Sequence, residues 1–314
     1  MKKIVVLDAK TLGLVPNLEK ISEFGKVITY ETTSPNETIS RVVDADIIIA
    51  NKVVIDKDVL IHCKKLQLIC ISATGMNNVD LELAKELGIV VKNAVGYGSN
   101  SVAQHTIALI LQLFNQLSYY DAYVKSGKYP ESDIFTHYGP PTTELHNKVF
   151  GIIGLGNIGR TVAKIVSAFG AKVNYHSTSG NNIHGEYPHV SLNELLRTSD
   201  IISIHAPLND KTQNLISDKQ LSLMKSTATL VNVGRGGIVN ESALAMAINN
   251  NQIGGACIDV FEKEPIHKNN PLLHVAHPEK IVLSPHSAWA SIEARTKLVD
   301  IVYENIKNFL IKGD

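Results

Sequence analysis

"VFGIIGLGNIGR", residues 149–160, is an apolar strand that runs directly into Gly154, Gly156 and Gly159 and then into a helical pattern. The spacing is G-x-G-x-x-G, and each glycine has its own task. The first permits a tight turn, and the second lets backbone N–H groups approach a pyrophosphate. The third lets helix and strand pack closely, with the phosphate on the helix N-terminus. Taken alone the spacing is as often a plain loop as a nucleotide site, but the strand–turn–helix context removes most loops. Two oddities remain. Such a unit often opens its domain, yet nearly half the chain precedes this one. The next strand, in "AKVNYHSTSG", ends at Ser177, where an Asp or Glu would usually hold the adenosine ribose.

Working outward, Val/Ile-rich runs precede the motif at 4–7, 26–29, 46–50, 66–72 and 90–93. Helix-like segments lie between them, including 56–63 and 80–88, the latter with Asp80 as N-cap and Gly88 as stop. A second alternation predicts strands at 149–153, 172–176, 200–205, 229–233, 255–260 and 281–284, with helices at 158–169, 191–198, 218–224 and 241–249. Near-continuous apolar strands alternating with helices predict parallel sheets covered on both faces, in an α/β protein. One long helix is expected over 99–125 and a last one over 291–311. The span 128–147, with Pro130, Pro140 and Pro141, lacks periodicity; a loop of that length usually covers a partner or has a function.

Composition narrows the classes. A chain of 314 residues suits two domains at about 100–200 residues each. Lys plus Arg equals Asp plus Glu, 30 each, which removes the electrostatic footprint of a nucleic-acid binder. Cys63, Cys70 and Cys257 are odd in number and widely spaced, so neither a disulfide framework nor a metal pair is expected, and the reading is cytoplasmic with no metal. The N-terminal apolar run stops at Asp8, too short for a signal peptide. "SVAQHTIALILQLFNQL" carries Gln104, His105, Gln112 and Asn115 and falls short of the ~20 apolar residues that span a bilayer, so no membrane partner is expected.

Three more residues stand just past predicted strands, on the edge where open α/β sheets bind ligands. They are Arg235 in "VNVGRGGIVNESAL", Glu264 in "CIDVFEKEP" and His286 in "IVLSPHSAWA". Singly they read as a surface arginine, a solvated acid and a satisfied core histidine. Together, beside a nucleotide turn, they suit hydride transfer to a 2-oxo acid. Reduction of a carbonyl builds charge on its oxygen, and His286 can deliver the proton. Glu264 can fix the tautomer of the imidazole. Arg235 can grip the substrate carboxylate through its planar fork.

With these motifs in place the chain resembles the D-isomer-specific 2-hydroxyacid dehydrogenases over essentially its full length. "ISATGMNNVDLELAKELGIVVKNAVGYGSNSVAQHTIALIL", "GIIGLGNIGR", "VNVGRGGIVNESAL", "GACIDVFEKEP" and "SPHSAWAS" follow in family order. Within the family, "IANKVVID", "IFTHYGPPTTEL" and Trp289 look most like glycerate dehydrogenase/hydroxypyruvate reductase members. The resemblance implies Arg235, Glu264 and His286 as the catalytic trio. It implies cofactor contacts at Gly154, Gly156, Asn157, Ile158, Gly159, Ser177, Thr178 and Asp259, and substrate contacts at Asn51, Thr74, Gly75 and Arg235. The cofactor is expected to be NAD, with NADP open, because no arginine or lysine stands beside Ser177 in the sequence. Two doubly wound parallel-sheet domains are implied. One is a flavodoxin-like catalytic domain, 1–99 plus 288–314; the other is an inserted Rossmann domain, 100–287, with substrate taken in the cleft between them. A homodimer is implied too, built on the long helix and the 128–147 arm.

Other readings stay open at this stage. A corepressor of similar fold would bind NADH and act as a sensor, though the complete trio and the lack of terminal extensions argue against it. Formate dehydrogenase relatives carry glutamine where this chain has Glu264. A long-type phosphoglycerate dehydrogenase would add a regulatory domain, and its phosphorylated substrate would want basic residues for which Lys52 is the one candidate. D-lactate is another substrate of the same chemistry.

Overall fold

A computed structural model describes residues 1–15, 17–181 and 185–312. The chain divides into two compact units, Met1–Gly98 with Ala290–Asp314, and Ser99–Trp289.

The first unit contains β1 (Lys2–Val6), β2 (Gly25–Thr29), α1 (Pro35–Val42), β3 (Ile47–Ala50), α2 (Lys57–His62), β4 (Leu68–Ile71), α3 (Leu81–Glu86) and β5 (Val90–Asn93). All strand pairs are parallel, and the sheet order is β2-β1-β3-β4-β5, the flavodoxin-like order. β3 (IIIA) and β4 (LICI) are buried at every position, which is why they read as unbroken apolar runs. Asp56 and Asp80 cap α2 and α3 by accepting from Val59 N and Leu83 N, each at 3.1 Å. Besides a short 3₁₀ turn at Ala9–Thr11, two elements are absent from the sequence reading. One is α1, opened by a capping box between Ser34 and Glu37 with Pro35 in its first turn; the other is a 3₁₀ stretch at Leu18–Phe24.

The second unit begins with α4 (Ser99–Asn115) and α5 (Leu117–Lys125). The single helix expected over 99–125 is thus broken, at Gln116, whose backbone is left-handed (φ 50, ψ 38). No Gly or Pro marks the break. The structure accommodates it by pairing carbonyls at the end of α4: Gln116 Nε2 donates to Leu113 O at 2.9 Å and Thr143 N to Phe114 O at 2.9 Å. The sheet follows as β6 (Val149–Ile153), α6 (Asn157–Ala168), β7 (Lys172–His176), α7 (Leu192–Thr198), β8 (Ile201–Ile204), α8 (Asp218–Leu221), β9 (Thr229–Asn232), α9 (Glu241–Asn249), β10 (Gly255–Ile258) and β11 (Ile281–Leu283). α8 stops three residues short of the expected 218–224, its last turn relaxing into the hydrogen bonds Leu223 N to Gln220 O and Met224 N to Leu221 O.

The strand order is β11-β10-β9-β8-β6-β7, all parallel. Outside β7 lies an isolated parallel bridge, Tyr175 with His189. Counted as a one-residue third strand, it turns the order into 3-2-1-4-5-6 with a seventh strand added, the dinucleotide-binding arrangement. The sheet is covered on both faces. Phe150 and Ile152 of β6 pack with Val102 and Ile110 of α4 and Val162 and Val166 of α6. Ile153 faces the other way, toward Leu195 of α7, Leu221 of α8 and Leu244 of α9. The last helix, α10 (Ile292–Lys312), belongs to the first unit.

Candidate active site

The three glycines after β6 do different things. Gly154 has φ +95, and a Cβ there would lie 2.8 Å from His205 O. At Gly159 a Cβ would meet Gly154 O at 2.3 Å, so this glycine seats α6 on the turn. Gly156 is unlike both. It is the N-cap of α6 with φ −82, and a Cβ there would meet nothing within 4 Å. Nothing in the chain itself demands glycine at 156; the missing side chain keeps open a cavity of about 500 Å³. Asn157, Ile158 and Gly159 form the first turn of α6, whose N–H groups have no partner within the helix.

Ser177, Thr178 and His205 also line this cavity. Two buried polar atoms on these residues, Ser177 Oγ and His205 Nδ1, have no hydrogen-bond partner among the described residues. Burial pushes the His205 imidazole down to about 3, so it is neutral, and its Nε2 lies 2.8 Å from Ser203 Oγ. An open helix N-terminus, a side-chain-free approach at Gly156 and unpaired polar atoms along one cavity fit a dinucleotide. The sequence places no arginine or lysine beside Ser177, but the fold corrects that picture. Asp210 and Lys211, from the loop after β8, line the same cavity as Ser177, Thr178 and Ser179.

β9, β10 and β11 are neighbours in the sheet, so the segments leaving them share one edge. Arg235 follows β9 in a turn folded by the buried Asn232. Its Oδ1 accepts from Gly234 N at 3.1 Å, and its Nδ2 donates to Arg235 O at 3.0 Å. The Arg235 side chain is exposed, with Nη1 donating to Gly234 O at 2.8 Å. A Cβ on Gly236 would lie 1.8 Å from Phe261 O, so the turn after β9 lies directly on the backbone after β10. Beyond β10, Glu264 Oε1 accepts from Phe261 N at 3.0 Å, and Glu264 Oε2 lies 2.7 Å from His286 Nδ1. That contact directs an Nδ1 proton to Glu264 and leaves Nε2 for other partners. The structure therefore joins Glu264 to His286, while Arg235 stands on the neighbouring strand end.

Asp259, expected among the cofactor contacts, follows β10 with its side chain buried. It is 0% exposed, and its carboxylate is occupied: Oδ1 accepts from Ser284 Oγ (2.5 Å) and Ser287 N (2.9 Å), and Oδ2 from Ala288 N (3.1 Å). Burial acts to raise its pKa, but hydrogen bonds from His105, Ser284, Ala288 and Ser287 outweigh it and hold the carboxyl below the ordinary value. Its task is to shape the loop around His286.

In the first unit, Asn51, Thr74 and Gly75 follow the neighbouring strands β3 and β4. Asn51 is 5% exposed, and its Nδ2 donates to Thr11 Oγ1 at 3.0 Å. Its backbone N–H is held by Asp8, whose carboxylate also accepts from Lys52 N at 2.7 Å and Val53 N at 3.3 Å. Thr74 is exposed, with its hydroxyl on Ala94 O (3.1 Å) and its carbonyl on Asn93 Nδ2 (2.6 Å). The sequence reading missed Asp8, Asn232, His205 and Lys211. Asp8, Asn232 and His205 carry one shared signal, a polar residue at the C-terminal end of an apolar strand.

The thiols are not candidate nucleophiles. Burial pushes Cys63 up to about 11 and Cys70 up to about 12, and it raises Cys257 as well. Among the described residues there is no group of three or more His, Cys, Asp or Glu that could hold a metal ion, and no helix long and apolar enough to cross a membrane.

Comparison with known proteins shows the family. The family model "D-isomer specific 2-hydroxyacid dehydrogenase, NAD binding domain" matches residues 107–288. A hydroxypyruvate reductase of Blautia hydrogenotrophica is 35% identical over 316 residues, 98% of this chain and 97% of its own. Among solved structures, an acyclic imino acid reductase in complex with NADPH and D-Arg superposes with a TM-score of 0.87 at 32% identity, covering 99% of this chain and 97% of its own. The D-lactate dehydrogenase of Aquifex aeolicus, complexed with NAD and lactic acid, gives 0.84 at 27% identity, covering 99% and 95%.

Proposed function

The chain belongs to the D-isomer-specific 2-hydroxyacid dehydrogenase family, a nicotinamide-dependent oxidoreductase of 2-hydroxy acids, and from that premise we propose that it interconverts hydroxypyruvate and D-glycerate, with glyoxylate as a second substrate. The observation that carries the reading is the 2.7 Å contact between Glu264 and His286, on the same sheet edge as Arg235. The hydroxypyruvate reductase relative supports the choice of substrate.

Each residue then has a defined task. The bound dinucleotide supplies the hydride. His286 delivers a proton from Nε2 to the carbonyl oxygen, and in the reverse direction it withdraws that proton from the hydroxyl. Glu264 holds Nδ1 and offsets the positive charge of the doubly protonated ring. Arg235 orients the substrate carboxylate through paired N–H donors.

For the cofactor, Ser177 would hold one ribose hydroxyl, which suffices for NAD. A 2′-phosphate would find donors in Ser177, Thr178 and Ser179 and a cation in Lys211, so both cofactors are accepted. The assembly is proposed to be a homodimer. α5 and the 128–147 arm carry exposed apolar groups, with Phe135 91% and Tyr138 86% exposed, on an arm held in order by His137 stacked 3.7 Å from Tyr123. A cytoplasmic setting is proposed from three cysteines outside any disulfide.

The test is a panel of small 2-oxo acids with NADH and with NADPH, followed by nicotinamide absorbance. Turnover highest with hydroxypyruvate and glyoxylate is expected. Binding of NADH without turnover of any member would favour a sensor instead.

A further inference from the structure

α4 reaches the loop that carries His286 at both of its ends. Ser101 Oγ donates to Ala288 O at 2.6 Å. His105, one turn further along the same helix face, places Nε2 3.0 Å from Ser284 Oγ and 3.5 Å from Asp259 Oδ1. Ser284 Oγ is in turn 2.5 Å from Asp259 Oδ1. An ionised carboxylate only accepts, so Ser284 gives its proton to Asp259 and accepts one from His105; this assigns the proton of His105 to Nε2.

Asp259 then distributes that order around the reacting residue. Its carboxylate takes the N–H groups of Ser287 and Ala288, and its backbone carbonyl takes that of His286 at 2.7 Å. His286 N also lies 3.1 Å from Ser284 O. His286 needs such support because its backbone sits at φ +53. A non-glycine residue in that region costs about 1–2 kcal/mol and stays there only when its surroundings over-determine it.

We propose that His105 and Ser284 are positioning residues of the reaction, acting through Asp259 to hold the strained His286 backbone so that its imidazole keeps its aim. The inference rests on His286 being the proton donor. The plainer alternative is that His105 is a half-buried histidine whose only contribution is packing.

The test compares His105→Leu, His105→Gln, Ser284→Ala, the double variant His105→Leu/Ser284→Ala, and His286→Ala. For each, kcat with hydroxypyruvate, NADH affinity and thermal midpoint are measured. His105→Leu is expected to lower kcat about 10- to 100-fold, the scale for displacing a reacting group by about 1 Å, with NADH affinity unchanged. Gln, whose amide can still donate to Ser284, restores most of the loss. The double variant loses less than the product of the two single losses, because both changes act on the one carboxylate of Asp259. Wild-type kcat in His105→Leu, no rescue by Gln, or multiplicative losses in the double variant would overturn the proposal. Should His105→Leu fail to fold, Ser284→Ala removes a single hydroxyl and carries the same expectation for kcat. If His286→Ala keeps its turnover, the proton-donor assignment fails. If it is inactive while His105→Leu and Ser284→Ala are unaffected, only the positioning role fails.

Discussion

Gly156→Ala separates the two things a glycine-rich turn can do, hold a fold or hold a ligand. The added Cβ would meet no protein atom within 4 Å, and φ −82 with ψ −162 suits alanine. An alanine N-cap is worse than glycine by about 0.5–1 kcal/mol. The stiffer unfolded chain returns about 0.4–1 kcal/mol. The two nearly cancel, and at about 2–4 °C per kcal/mol for a unit of this size the thermal midpoint should move by less than about 2 °C. The nucleotide is affected differently, because a methyl group would stand where backbone N–H groups approach the pyrophosphate. Losing one hydrogen bond to a charged group costs about 1.5–3 kcal/mol, which weakens NADH about 10- to 150-fold. Fluorescence titration with NADH and a melting curve on the same sample measure both. Gly159→Ala is the control: its Cβ would lie 2.3 Å from Gly154 O, so stability and binding should fall together. An unchanged NADH affinity in Gly156→Ala would refute the assignment of this turn as the cofactor cradle.

Four other outcomes follow from the same geometry. Ser177→Asp should shift preference toward NADH and Lys211→Met should weaken NADPH alone, read as paired dissociation constants; equal effects on both cofactors would remove these residues from the ribose site. Glu264→Gln, which keeps a hydrogen bond to His286 but removes the charge, should lower kcat by at least about tenfold while leaving NADH affinity intact, in line with the usual worth of acid–base support. Tyr138→Glu should yield a monomer in light scattering if the exposed arm is an interface. Asp259 has a native pKa held below its unfolded value of about 3.9, so its contribution to stability is present above that pH and is lost as pH falls through the native value. The stability gap between wild type and Asp259→Asn should therefore narrow below about pH 4; a gap independent of pH would contradict this.

Much of the fold was legible because parallel strands buried on both faces leave unbroken apolar runs. Val90–Asn93, Val149–Ile153 and Lys172–His176 coincide with their predicted ranges. α1 was legible but unread: Ser34, Pro35 and Glu37 are an N-cap, a first-turn proline and a capping-box acid. The break at Gln116 was not legible, since a glutamine in a left-handed backbone leaves no local mark and the compensating bond comes from Thr143. The same distinction holds in the site. Glu264 and His286 could be found by their strand-end positions, and Gly154 and Gly159 by their spacing. Lys211 could not be linked to Ser177 from sequence, because their proximity depends on the packing of the loop after β8. Asp259 and Asn51 occupied promising positions, but only the structure shows that their side chains are buried and bonded to the segments that follow neighbouring strands.

The central claim is that His286 transfers the proton in reduction of a 2-oxo acid on a site whose cofactor cradle is separate from it. The most direct measurement is kcat of His286→Ala with hydroxypyruvate at saturating NADH, alongside the NADH dissociation constant. A loss of about 10²- to 10⁴-fold in kcat with unchanged NADH affinity is expected. Turnover close to wild type in that variant would contradict it.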